Sequence, residues 1–102
     1  MGVDVALVDE FGGKIEDFPD SMGLLILLLP AEDDAAFPFL SSIDAYGDTV
    51  FNRLQMKRFL TEWKYIVAKA QSPEEKEIAE VVLRMASRCQ REVHTYLKFI
   101  GD

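Results

Sequence analysis

The chain has 102 residues, a formal net charge of −7 and 49% hydrophobic residues. That suffices for one domain, residues 1–102, with a modest core, and the composition holds no low-complexity or disordered tract. A single cysteine excludes an internal disulfide, and the acidic balance argues against nucleic acid as a partner.

Val3, Val5 and Leu7 alternate with Asp4 and Ala6, the period of a half-buried strand. Glu10-Phe11-Gly12-Gly13 supplies a turn, and Lys14-Ile15-Glu16-Asp17-Phe18 returns as a second strand. The glycine pair lacks the third glycine of a dinucleotide loop and the Lys-Ser/Thr of a P-loop, so it reads as a hairpin turn.

Pro19-Asp20-Ser21 breaks the hairpin, with Asp20 or Ser21 as a cap for the next segment. That segment, the apolar run at residues 22–29, fits a short buried helix or a buried strand, and leucine favours the helix. It stops at Pro30, far short of the about 20 residues that cross a bilayer, so no membrane partner is expected. Residues 30–34 form a solvated acidic loop. Its three adjacent acids lack the alternation and closing glutamate of a calcium loop, so no metal is expected. Phe37, Phe39 and Leu40 are candidates to return to the core.

Thr49-Val50-Phe51 is β-branched and aromatic, so the next helix starts near Asp48 or only after an extended piece ending near Asn52. Met56, Phe59, Leu60, Trp63, Ile66 and Val67 then share one helical face, with Glu62 on a flank. Gln71-Ser72-Pro73 turns the chain. Ser72 as N-cap, Pro73 at the first helical position and Glu75 three residues on form a capping box. Apolar residues recur at Ile78, Val82, Met85, Cys89, Val93, Tyr96 and Ile100, which predicts a helix running to a stop at Gly101. The expected fold is α+β: an N-terminal β-hairpin and a short apolar segment packed on a long antiparallel helical hairpin. The acidic half, 1–52, would cover the helical half, 53–102. If it does not, Phe59, Trp63, Tyr65 and Tyr96 offer a homodimer face.

Charge is divided unevenly. Residues 1–50 hold eleven acids and one base, a net of −10, while residues 51–102 net +3. Either the acids offset the basic helices inside the fold, or they form a functional surface. The second reading makes the chain a protein-binding module that docks a basic partner through Asp33, Asp34, Asp44 and Asp48. An immunity-type inhibitor, shielding the basic cleft of a nuclease toxin, is its concrete version.

The rival reading places a small anionic-ligand or enzymatic site at the open end of the helical hairpin. If both helices run as expected, position 52 faces roughly position 91. Tyr46, Asp48, Asn52 and Arg53 would then meet Arg91 and His94, with the arginines holding an anion and Asp48 orienting His94. No nucleophile sits at a useful spacing, so no catalytic residue or cofactor is assigned. Arg84, Arg88, Arg91 and Lys98 make a basic stripe with no interleaved aromatics, which reads as solvated or internally paired.

The run Tyr46-Gly47-Asp48-Thr49-Val50-Phe51-Asn52-Arg53-Leu54-Gln55 resembles a segment of small, uncharacterised bacterial proteins of similar length. Cys89-Gln90-Arg91-Glu92-Val93-His94 and Phe99-Ile100-Gly101-Asp102 extend the resemblance. It implies a bacterial cytoplasmic protein and carries no activity. The start, which lacks a basic segment and a Ser or Thr at position 6, is consistent with that location.

Overall fold

A computed structural model describes residues 2–20 and 22–101. The expected cap at Ser21 and the final Asp102 of the resemblance lie outside those residues. The chain is α+β, with strands at both ends of the sequence: β1 (Val3–Asp9), β2 (Lys14–Phe18), α1 (Leu24–Leu28), β3 (Asp48–Asn52), α2 (Met56–Lys69), α3 (Pro73–Arg91) and β4 (Thr95–Gly101). The four strands form one antiparallel sheet in the order β2-β1-β4-β3, and the helices cover one of its faces.

The N-terminal hairpin forms as its alternation predicts. Asp9 fixes its turn, accepting the Phe11 and Gly13 N–H groups through Oδ1, both at 2.9 Å, while Gly12 takes φ 84°. Val3, Val5 and Leu7 face the helices and are fully buried.

The principal correction concerns the end of the second long helix. α3 stops at Arg91, and residues 95–101 are a central strand. The steps through Val93, Tyr96 and Ile100 fit a helix, but Thr95, Leu97 and Phe99 in the same stretch fit a strand, and those three are the buried residues. This segment is β-branched and aromatic, and β1 and β3 both needed a partner. No glycine marks the stop. His94 instead takes φ 61°, and the Thr95 hydroxyl lies 2.8 Å from the Glu92 carbonyl and 3.3 Å from that of Cys89, which it caps. Gly101 serves close packing. A Cβ there would stand 2.5 Å from the Ala45 carbonyl carbon and oxygen.

Of the two starts weighed for the first long helix, the structure takes the later one. β3 ends at Asn52, whose side chain and that of Gln55 form a reciprocal capping box across a 3-10 turn, at 2.7 and 3.0 Å. The connection between the two helices, residues 70–72, folds as the capping signal predicts. Ser72 Oγ accepts the Glu75 N–H at 3.1 Å, and Glu75 Oε1 accepts the N–H groups of Gln71 and Ser72. Those two bonds hold the Glu75 carboxyl below its usual range.

The sheet covers the helical pair, so Phe59 and Trp63 are fully buried within the chain and Trp63 Nε1 donates to the Ala79 carbonyl at 2.9 Å. Tyr65 stays exposed. Phe37 meets Tyr65 edge-on, and Phe39 stacks on Phe51, so the segment after the acidic loop does return to the core. Among the described residues, no helix is long and apolar enough to cross a membrane.

Candidate functional site: an acid-rimmed cavity at one end of the sheet

Two loops meet where β1 begins and β4 ends. The first, at residues 30–34, leaves α1. Asp34 closes it, its carbonyl accepting the Phe37 N–H and its Oδ1 the Ala36 N–H, both at 3.0 Å. The second is the tight turn at residues 44–47. Asp44 Oδ1 accepts the Tyr46 N–H at 2.8 Å, Thr49 Oγ1 accepts the Asp44 N–H at 2.9 Å, and the Gly101 N–H bonds the Gly47 carbonyl at 2.8 Å. A side-chain oxygen closing a turn two residues on is what Asp does readily.

Between these loops lies a cavity of about 160 Å³. Val3, Ile26, Leu29, Leu40 and Ile43 make its apolar walls, while Glu32, Ser41, Asp44 and Tyr46 bring polar groups to it. One wall depends on a distant anchor. Glu62 of α2, which is buried, accepts the N–H groups of Phe39 and Leu40 and so fixes the short 3-10 turn Leu40–Ser42.

Of the acids expected to meet a partner, Asp44 lines this cavity, joined by Glu32, which sequence reasoning left out; Asp33 and Asp34 follow Glu32 in its loop. Among the described residues none of these four carboxylates has a basic group within 4.0 Å. Asp48 differs. Its carboxylate lies 3.4 Å from Lys98 Nζ. Part of the N-terminal charge is offset inside the fold: Glu16 on β2 bridges Arg84 at 3.0 Å and Arg88 at 2.8 Å. Its bond to Arg88, with help from Arg84, holds its carboxyl below the usual range despite some burial. Arg88, shared between Glu92 and Glu16, is raised above its ordinary value.

The rival cluster is not assembled as expected. Because residues 95–101 are a strand, Asp48 lies opposite Ile100 and Asn52 opposite Tyr96. These two rows are about 14 Å apart at strand spacing, and His94 lies beyond the Tyr96 row, so Asp48 cannot orient His94. His94 Nδ1 instead stands 3.3 Å from Glu10 of the β1–β2 turn. Asn52, Arg53 and His94 do line one open groove of about 340 Å³, but Arg91 lies outside it and Asn52 is committed to its capping box. Tyr46 belongs to the acid-rimmed cavity at the opposite end of β3. Of the basic stripe, Arg84 and Arg88 are paired internally and Lys98 has moved to β4.

No group of three or more metal-ligating side chains occurs among the described residues. Cys89 is fully buried and burial pushes its thiol up, the reverse of what a nucleophile requires. Comparison with protein families, with curated proteins and with solved structures returned no match.

Proposed function

We propose that this chain is a protein-binding module whose acidic face docks a basic partner. The observation that carries this reading is the state of Glu32, Asp33, Asp34 and Asp44. Glu32 and Asp44 line one cavity, Asp33 and Asp34 follow Glu32 in the same loop, and among the described residues none of the four has a base within 4.0 Å, while Glu16 elsewhere is paired with Arg84 and Arg88. Uncompensated like charges repel one another, and a complementary surface relieves that repulsion while steering encounter. A nuclease toxin with a basic cleft is a partner of the right sign, which makes an immunity-type inhibitor the concrete form; its support is charge complementarity alone. A bacterial cytoplasm is the setting that accords with a single buried thiol.

The test is retention of bound protein from the native bacterium by the wild type and by the E32Q/D33N/D34N/D44N variant, at low and high salt. A basic protein held by the wild type at low salt, released by salt and absent from the variant supports the reading. An acidic partner, or one held equally by both proteins, removes it.

A second reading has one observation in its favour. Arg53 and His94 line the same groove, with Glu10 against the imidazole, so a small anion could sit on Arg53. Arg53→Ala abolishes such binding without altering the acidic face, so anion titration of that variant separates the two.

A further inference from the structure

We propose that the acid-rimmed cavity is a socket for one arginine side chain of the basic protein partner. This rests on the docking reading above and names the group that enters.

Size decides the class of occupant. At about 160 Å³ the cavity matches the ~150 Å³ apolar cavity that takes a single benzene ring. Pockets for metabolites and cofactors begin at roughly 300 Å³. One side chain fits here and a free ligand of ordinary size does not.

Chemistry decides which side chain. Ile26, Leu29 and Pro30, all part-exposed, suit a methylene stem, and the exposed Glu32 and Asp44 wait at the rim for its charged head. None of the described residues lining the cavity is basic. Asp44 is held in place by its own bond to the Tyr46 N–H, so it is ready to accept without reordering. Tyr46, on the rim, is 70% exposed and offers a ring face to a cation. A flat guanidinium stacks on that ring and reaches both carboxylates with its edge. The compact ammonium of lysine cannot do both.

The probes are N-acetyl-arginine methylamide, its lysine and norleucine counterparts, and an octa-arginine peptide, titrated into the full-length ¹⁵N-labelled protein. Ser41→Phe and, separately, Leu29→Phe fill the cavity and keep every acid; E32Q/D44N keeps the cavity and removes the rim charge. Thermal melts select the filling variant that folds. The arginine probe should give saturable shifts centred on Ser41, Ile43, Asp44 and Tyr46. Both kinds of variant should weaken it at least tenfold, and lysine should bind at least threefold more weakly. No saturable shift, equal binding of lysine, or undiminished binding to a folded filled variant overturns the socket. The octa-arginine peptide judges the parent reading separately. Should the filled variant bind it like wild type while E32Q/D44N does not, the socket fails and acidic docking stands. Equal binding of that peptide by E32Q/D44N and wild type overturns both.

Discussion

The carboxylate of Glu62, on α2, accepts the backbone N–H of Leu40 at 3.0 Å, from a residue 22 positions earlier in the chain. It also accepts the Phe39 N–H at 3.1 Å, so one buried side chain satisfies the first donors of the 3-10 turn that walls the cavity. Removing the acceptor leaves the buried Leu40 N–H and the half-buried Phe39 N–H without a partner. Glu62→Ala should lower stability by about 2–4 kcal/mol, at roughly 1–3 kcal/mol for an unmet buried group. Glu62→Gln, which keeps one carbonyl acceptor, should lose about half as much. Urea denaturation of the two variants checks this.

Glu16 gives the protein an acid-sensitive bond between sheet and helix. Its folded pKa is lowered, chiefly by the bond to Arg88, so the unfolded chain holds this proton more tightly. The stabilisation is fully present above the ordinary Glu value of about 4.3 and is lost as pH falls from there through the lowered value. Glu16→Gln should be less stable than wild type at pH 7, and the difference should vanish toward pH 3. Denaturant midpoints at pH 7, 5 and 3 measure it; a constant difference would contradict it.

The thiol of Cys89 is fully buried, lies 3.5 Å from the Thr95 carbonyl and is raised by burial. It should react with a disulfide reagent only as fast as the protein opens, and at once in denaturant. Fast labelling of the native chain would show that the junction between α3 and β4 is loose.

Gly101 joins the last strand to the turn that carries Asp44. A methyl group there meets the Ala45 carbonyl, so Gly101→Ala should push the 44–47 turn away and blunt acidic docking as well as stability. The expected loss of stability is about 1–3 kcal/mol, in line with overpacking elsewhere. Binding of octa-arginine at a temperature where the variant is still folded separates the two effects.

Phe59 and Trp63 are covered by the sheet, so their stripe requires no second copy. Light scattering at micromolar concentration should return the 11.6 kDa mass of one chain. A dimer mass would point to a different face, such as the edge of β3.

Features that act within a few residues were legible in the sequence: the alternation at Val3, Val5 and Leu7, the Gly12 turn, and the Ser72–Glu75 capping box. Features that depend on distant partners were not. Val93, Tyr96 and Ile100 satisfy a helical period while Thr95, Leu97 and Phe99 satisfy a strand's, and pairing with the edges of β1 and β3 decides between them. The supposed meeting of Asp48 with His94 fell with it. Glu62 read as a flank residue because its partners, Phe39 and Leu40, are backbone groups of a segment with no period of its own. Glu32 was missed as a site residue since only the fold brings it beside Asp44.

The most direct test of acidic docking is the rate of association with the retained partner as a function of ionic strength. Electrostatic steering from Glu32, Asp33, Asp34 and Asp44 predicts a rate that falls steeply between about 10 mM and 150 mM salt, as the screening length shortens from about 30 Å to 8 Å. The E32Q/D33N/D34N/D44N variant should start slower and show a much flatter dependence. A rate that ignores salt, or a variant with the same slope as wild type, would contradict the account.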